Sequence, residues 1–419
     1  MAGLRSQSLR VKTHAMHALT ILKERGFLKS STDEAALSSF LQTGSRRFYI
    51  GFDPTGNSLH IGHLVQVMAM AWLTRCGHKP IAIIGGGTAR VGDPSGKDKT
   101  RTMLDDDTIR RNADCFRTQL LKVIHAATLD TDVTPDLLLL NNVEWLGKLN
   151  YIEFLREIGQ HFSVNRMLSA ESAKQRLERN QGLSFIEFNY HLLQSYDYLV
   201  LNRDHDCALQ IGGDDQWFNI LGGVDLIRRV NGNDAHALTT PLLATADGKK
   251  MGKTEKGAVW IDPDQCSVYD YFQYWLNVQD ADVIRFLKLY TFLPLEKIGE
   301  LERLEGAEIR TAKRVLAIEA TAIVHGRDAA QQADEAARKL FSSGKSANAP
   351  QVDVTFPISV IDALVAGELA KSKGAARRLI QQGGVRIESE RVTDIDTFID
   401  TDCTLWAGKK RAVQIQGTN

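Results

Sequence analysis

Two histidines three residues apart, His60 and His63, stand just past a short apolar run and a turn, and that placement suits work on a phosphate chain. Arg47–Gly51 reads as a buried strand and Asp53-Pro54-Thr55-Gly56-Asn57 as a turn. From His60 onward, Leu64, Val67, Met68 and Trp72 fall at helical spacing. Both imidazoles then share one face of a helix's first turn. Free N–H groups and the positive end of the helix dipole favour phosphate there. Gly62, between them, leaves bare backbone against which a flat base such as adenine can lie. Read alone, His60–His63 fits two histidines on an ordinary helix equally well. A metal pair is disfavoured, because no third His, Cys or carboxylate stands nearby at ligand spacing.

Further stretches carry chemistry of the same kind. Lys79–Ile84 is a second apolar strand, and Gly85-Gly86-Gly87 follows it. The loop beyond contains Asp93 and the cations Lys97, Lys99 and Arg101. It is no P-loop: the spacing before Gly96-Lys97 is one residue short, and Asp98 stands where Ser or Thr belongs. Nor is it a dinucleotide fingerprint, since Arg90 replaces the third glycine. It offers flexible backbone at a strand's carboxyl end, where open parallel sheets bind ligands. Tyr190, Gln194 and Asp197, spaced four and three apart, lie on about one helix face. Cys207–Ile211 is a strand running into Gly212-Gly213-Asp214-Asp215-Gln216, and 247–254 is a polar loop with Lys249, Lys250 and Lys253.

The elements that position these residues alternate between strand and helix. That argues an α/β fold with a Rossmann-like parallel sheet over roughly residues 40–245. Helices are expected over Ala15–Arg25, Asp33–Leu41 (with Thr32 as cap), Thr108–Ala127, Tyr151–Ile158, Phe185–Leu199 and Phe218–Arg229, and a strand over Leu137–Leu140. From Tyr269 to Leu340 the pattern is wholly helical. Phe341–Asp353 has linker composition, and a compact tail follows, with helices near Ser359–Ala366 and Ser372–Gln381 and strands near Val385–Ile387 and Ala412–Gln416. The domains drawn from this are N-terminal helices (1–40), a catalytic domain (41–262), an all-α domain (263–341), a linker (342–355) and a small α+β tail (356–419). With 51 basic and 51 acidic residues the net charge is zero, so a nucleic-acid surface must be a local patch. Five scattered cysteines indicate neither a disulfide framework nor a zinc site, and suit a reducing compartment. No apolar run reaches membrane-span length.

His60-Ile61-Gly62-His63 resembles the "HIGH" motif of class I aminoacyl-tRNA synthetases, and Tyr49–Thr55 ahead of it is similar to the bacterial-type tyrosyl-tRNA synthetases. Five blocks in family order carry this likeness over nearly the whole chain: Tyr49–His63, Gly92–Arg101, Tyr190–Tyr198, Leu209–Trp217 and Lys250–Thr254. The resemblance implies that tyrosine and ATP react to tyrosyl-adenylate and pyrophosphate, and that the tyrosyl group passes to the terminal adenosine of tRNA(Tyr). It places Tyr49 and Asp197 on the substrate phenol, and Asp93, Tyr190 and Gln194 on its amino group. A site built to bond a hydroxyl leaves its own polar groups unpaired when the analogue lacks it. The ATP side would comprise Gly51, Asp53, His60, Gly62, His63, Gly213, Asp215 and Gln216. Thr55, His60, His63 and the mobile cations Lys97, Arg101, Lys250 and Lys253 would act on the phosphates. Magnesium would arrive with ATP, with no dedicated metal site on the protein. The tail resembles the RNA-binding domain shared with ribosomal small-subunit protein four, with Lys373, Arg377 and Arg378 on the RNA. The helical domain would face the anticodon side, and the family implies a cytoplasmic homodimer.

The chain departs from the family pattern at Ile50, Asp214, Phe218, Gly252 and Thr88-Ala89-Arg90, which puts ATP affinity in question while the tyrosine half stays intact. A tryptophanyl-tRNA synthetase would share fold and mechanism, but Tyr49, Asp197 and the tail speak against it. A nucleotidyltransferase for a small metabolite would have no use for the tail. A non-catalytic RNA-binding paralogue would have no reason to keep His60, His63, Asp93, Asp197, Lys250 and Lys253 together.

Overall fold

The computed structural model describes residues 17–95, 104–179, 182–246, 251, 253–254, 257–342, 350–388, 390–408 and 411–417. The chain divides into one unit running to Ala330 and a second beginning at Gln331.

The first unit is built on a six-stranded sheet: β1 (Ser30–Ser31), β2 (Arg47–Phe52), β3 (Lys79–Ile84), β4 (Leu138–Asn141), β5 (Cys207–Gly213) and β6 (His236–Thr240), in the order β1-β6-β5-β2-β3-β4. All neighbours are parallel except β1 with β6. The expected α/β fold is therefore present, with a short antiparallel edge strand the sequence pattern did not reveal. The chain runs outward from β2 through β3 to β4, then resumes on the other side of β2 with β5 and β6. The carboxyl ends of β2 and β5 thus flank the crevice where open sheets bind ligands.

Helix α1 spans Ala18–Glu24, α2 Glu34–Gln42, α3 Ile61–Arg75 and α4 Asp106–Thr128. Twelve of the fifteen α3 residues are buried, so it is enclosed on all sides and fixes the His60 turn rigidly. α2 is capped by Asp33, which accepts from Ala36 N at 3.0 Å; the expected cap, Thr32, instead accepts from Ala237 N. The single helix expected over Phe185–Leu199 is two, Phe185–Phe188 and Tyr190–His205, hinged at Asn189. The second packs closely on the Trp217–Asn231 helix. A methyl group at Gly222 would lie 2.3 Å from His191 Cε1, and one at Gly223 2.8 Å from the Tyr198 ring. Two adjacent glycines, each costing about 1 kcal/mol in a helix interior, are retained because these rings occupy their Cβ space.

Beyond the sheet lie helices Val268–Leu276, Val283–Tyr290, Leu295–Glu302 and Ile309–His325, packed around the buried rings of Tyr271, Trp275, Phe286 and Tyr290. Arg25, just past α1, pins this layer: its guanidinium stacks 3.7 Å from the Trp72 ring and donates to the carbonyls of Lys288, Thr291 and Leu293.

The second unit holds a five-stranded sheet in the order Glu390–Arg391, Val385–Ile387, Cys403–Ala407, Arg411–Gly417, Gln351–Val354, with helices Val360–Ala366 and Lys373–Gln381 over its core. Gln351–Val354, expected as linker, is the parallel edge strand of this sheet.

Candidate active site

Tyr49 points from β2 toward the Tyr190–His205 helix, its ring 5.2 Å from that of Tyr198. Its hydroxyl is fully buried and has no hydrogen-bond partner among the described residues. Burial, then the nearby Asp197 charge, hold its pKa well above the ordinary tyrosine value. Asp197 is buried on the facing helix and accepts from Trp145 Nε1 at 2.7 Å and Asn142 Nδ2 at 2.9 Å. Burial pushes its pKa up from 3.8 to about 7, against the lowering effect of those two bonds. One orphan phenol donor beside one buried carboxylate matches the two hydrogen-bonding needs of a hydroxyl group.

A chain of bonds continues from Asp197 across the sheet. Asn142 Nδ2 also lies 3.0 Å from Thr88 Oγ1, whose hydroxyl donates to Asp53 Oδ1 at 2.7 Å. Asp53 Oδ2 accepts from Tyr190 Oη at 2.9 Å. Asn142 Oδ1 holds the backbone N–H of Gly87 at 2.7 Å. The triple glycine is tightly packed here. Methyl groups at Gly85 and Gly86 would fall 2.0 Å from Asp53 Oδ1 and 2.4 Å from Asn141 Oδ1.

The other end of the pocket is built on Asp93. Its Oδ1 accepts from Ser95 N at 2.9 Å and its Oδ2 from Gln216 Nε2 at 2.7 Å. Gln216, expected with the nucleotide, is thus bonded to the expected amino-group residue. Gln194 lies on the same helix as Tyr190 and Asp197, its buried Oε1 without a partner among the described residues. Gly51, two residues past Tyr49 on the same strand face, is open above, with no atom within 4 Å of an added Cβ.

His60 is the N-cap of α3. Its Nδ1 accepts from Gly62 N at 3.0 Å, its own N–H donates to His63 Nδ1 at 3.2 Å, and the two rings stack 3.9 Å apart. The expected pairing of the imidazoles on the first turn is therefore present. Gly62 plays a different part from the one expected: its Cβ space is filled by the His60 ring, whose Cε1 would lie 2.8 Å from a methyl group. Thr55 is exposed in the turn after β2. Gly213, Asp214 and Asp215 close β5, and Asp214 Oδ1 accepts from Thr239 Oγ1 at 2.8 Å, which ties the loop to β6. Asp215 approaches Gly213 so closely that a methyl group there would meet Asp215 Oδ1 at 2.6 Å.

Lys97, Arg101 and Lys250 lie outside the described residues, and of Lys253 only the backbone, in the short strand Lys253–Thr254, is described. Met251 between them is buried, and the Tyr290 hydroxyl sits 3.3 Å from its Sδ and 3.4 Å from the Ile61 carbonyl, so one phenol joins the lysine loop to the start of α3. In the second unit, Arg377 and Arg378 are exposed on the Lys373–Gln381 helix, while Lys373 pairs with Asp362 at 2.7 Å.

Residue spacing alone points to none of Thr88, Asn142, Trp145 and Gln210. Gln210 is the register partner of Tyr49, buried, with Oε1 unpartnered among the described residues. The available signals were a polar residue inside the apolar run of β5 and the Asn141-Asn142 pair closing β4.

Comparison with known proteins places the chain among relatives of one kind. Residues 41–342 match the family model described as tRNA synthetases class I (W and Y), and residues 341–407 the tyrosine--tRNA ligase SYY-like C-terminal domain. The tyrosine--tRNA ligase of Acetivibrio thermocellus is 50% identical over 387 residues, 91% of this chain and 93% of that protein. That of Clostridium tetani is 49% identical over 387 residues, with the same coverage of each. A C-terminally truncated mitochondrial tyrosyl-tRNA synthetase from Aspergillus nidulans superposes with a TM-score of 0.71 at 30% identity, covering 78% of this chain and 94% of that one. A tryptophanyl-tRNA synthetase from Plasmodium falciparum shares the fold alone, at a TM-score of 0.52 and 14% identity, over 75% of this chain and 84% of that one.

Proposed function

The chain belongs to the class I tRNA synthetases of the tryptophan and tyrosine group, and from that membership we propose which of its residues select tyrosine and activate it. Its reaction is that of a tyrosine-tRNA ligase, with ATP as co-substrate and tRNA as acceptor. The observation that carries the side-chain assignments is the Tyr49–Asp197 pair. A substrate phenol donates to the Asp197 carboxylate and accepts from the orphan Tyr49 hydroxyl. Phenylalanine would leave the Tyr49 hydroxyl unpaired and give Asp197 no donor beyond Trp145 and Asn142, and an indole, a donor only, would leave Tyr49 unpaired.

At the other end Asp93 accepts the substrate ammonium, with Tyr190 and Gln194 beside it. The substrate carboxylate then attacks the α-phosphorus of ATP in line and pyrophosphate leaves. No covalent enzyme intermediate is needed. Positioning and charge stabilisation supply the rate. His60, His63 and Thr55 face the phosphates at the α3 N-terminus, Gly51, Gly62, Gly213, Asp215 and Gln216 shape the nucleoside side, and Lys97, Arg101, Lys250 and Lys253 neutralise the leaving pyrophosphate. Asp53 acts from behind, through Tyr190 and Thr88. A ribose hydroxyl of the tRNA's terminal adenosine then attacks the mixed anhydride and releases AMP. Magnesium enters on the triphosphate, held by phosphate oxygens and water. Among the described residues no three His, Cys, Asp or Glu side chains converge as a cage.

Arg377 and Arg378 contact the tRNA backbone, with Lys373 flanking them. We assign a homodimer in the cytoplasm. Exposed apolar side chains at Tyr151, Ile152, Val164, Phe185 and Ile186 support a subunit contact on that segment. The five cysteines are all free and suit a reducing compartment.

The test is amino-acid-dependent exchange between ATP and pyrophosphate, with tyrosine, tryptophan and phenylalanine in parallel. Exchange with tyrosine alone is expected. Equal exchange with tryptophan would overturn the assignment of the phenol pair.

A further inference from the structure

The amino-group end of the pocket is held by a polar chain that reaches well behind it. Asn219, on the Trp217–Asn231 helix, donates from Nδ2 to Gln216 Oε1 at 3.2 Å and lies 3.4 Å from Ser95 Oγ. Gln216 in turn donates to Asp93 Oδ2, and Ser95 donates its backbone N–H to Asp93 Oδ1. Both oxygens of Asp93 therefore lead back to Asn219. Asn219 Oδ1 is itself 3.2 Å from His191 Nδ1. All of these except Gln216 are buried.

The polarity of the chain is set by the carboxylate. Asp93 is an acceptor, so Gln216 must present its NH2 to it and its carbonyl oxygen to Asn219. Asn219 must then present its NH2 to Gln216 and its carbonyl to His191, which donates from Nδ1. A reversed Gln216 amide would put an oxygen against the carboxylate. His191 cannot turn away to release the chain: its ring packs 4.4 Å from that of Phe218 and 5.3 Å from that of Phe162, over the bare Cα of Gly222. Burial also pulls its pKa down to about 4, so near neutral pH it is uncharged and holds a single tautomer.

We infer that Asn219, oriented by His191, is a positioning residue for tyrosine activation: it fixes the Gln216 amide and the Ser95 turn so that the Asp93 carboxylate meets the substrate ammonium. The inference rests on the assignment of Asp93 to that ammonium. Neither Asn219 nor His191 touches the substrate in this role.

A structural role and a positioning role separate on one comparison. Tyrosine carries the ammonium; desaminotyrosine, the same molecule without it, occupies the phenol end and competes. In Asn219→Ala the KM for tyrosine in pyrophosphate exchange should rise about tenfold, the scale of one hydrogen bond to a charged group. The inhibition constant of desaminotyrosine should stay within about twofold, the accuracy of the comparison. His191→Phe, which keeps the ring stack and removes the donor, should show the same split more weakly. Equal weakening of both molecules, or no change in either, overturns the inference. Asp93→Asn is measured alongside. If it weakens tyrosine alone while Asn219→Ala and His191→Phe do not, the ammonium assignment stands and the relay falls. If it fails to separate the two molecules, the assignment itself falls and takes the relay with it.

Discussion

Replacing Asp197 by asparagine should stabilise the fold at alkaline pH while removing the enzyme's preference for tyrosine. Asp197 ionises at about 7 in the folded chain and at 3.8 in the reference state. The folded protein therefore holds the proton more tightly, and the carboxyl's contribution to stability is complete below pH 4 and lost as pH rises toward 7. At about 1.4 kcal/mol per unit, the full loss is about 4 kcal/mol. An asparagine does not titrate and escapes it. It carries its own cost, because Trp145 and Asn142 both donate to this side chain. One of them must face the new NH2 group, at about 1–3 kcal/mol. The variant should match the wild type in stability near pH 5.5, where about half of that loss has already occurred, and gain about 2 kcal/mol on it by pH 8.5. Urea unfolding of both proteins across that range, followed by tryptophan fluorescence, measures the difference. Activity should move the opposite way: loss of a bond to a charged acceptor should lower kcat/KM for tyrosine about 10- to 100-fold and leave phenylalanine nearly unchanged. Parallel stability profiles would refute the costly buried charge. An undiminished preference for tyrosine would refute the phenol assignment.

Gly62→Ala places a methyl group 2.8 Å from His60 Cε1. It should slow adenylation in single-turnover assays by about tenfold or more, with tyrosine affinity kept, because only the phosphate side is displaced. In wild-type enzyme, kcat/KM for tyrosine should fall as pH drops below about 7, the free-enzyme pKa of Asp197, and a pH profile flat from pH 8 to pH 6 would contradict that. Arg25→Ala removes three carbonyl contacts and the Trp72 stack together, and should cost about 2–4 kcal/mol in chemical denaturation. The Arg377→Ala/Arg378→Ala double variant should exchange pyrophosphate normally and fail in tRNA charging, and normal charging would remove these arginines from the RNA contact.

The strands were legible because a parallel sheet buried on both faces writes itself as continuous apolar runs, and Lys79–Ile84 has in the structure the limits its composition suggested. β1 was illegible for the same reason: two serines carry no apolar signal, and only their pairing with Thr239 and Leu238 makes them a strand. Local chemistry misplaced the α2 cap by one residue, since Thr32 and Asp33 are equally good candidates until Ala237 claims the threonine. The groups expected to touch tyrosine converge between β2 and the Tyr190–His205 helix. The groups behind them could not be found by spacing, since Asn142 and Trp145 meet Asp197 from 55 and 52 positions away and His191 meets Asn219 from 28. Glycines misled most. Gly62 suggests open backbone for a ligand, yet the ring of His60 lies where its Cβ would stand, as Asp53 and Asn141 do at Gly85 and Gly86.

The partners that hold Asp93 and Asp197 among the described residues are neutral: amides, an indole and a backbone N–H. A lysine or arginine would hold either carboxylate more strongly, and would also cancel the charge the substrate needs. Neutral donors fix the direction of a carboxylate and leave its field nearly whole. The consequence at Asp197 is a carboxyl pushed toward protonation by its burial, which its raised pKa expresses. In the assignment proposed above, the tyrosine phenol O–H offsets that effect at Asp197, while its ammonium meets the Asp93 carboxylate at the other end. Binding energy and specificity then have one source: polar groups that the fold orients and leaves incompletely satisfied.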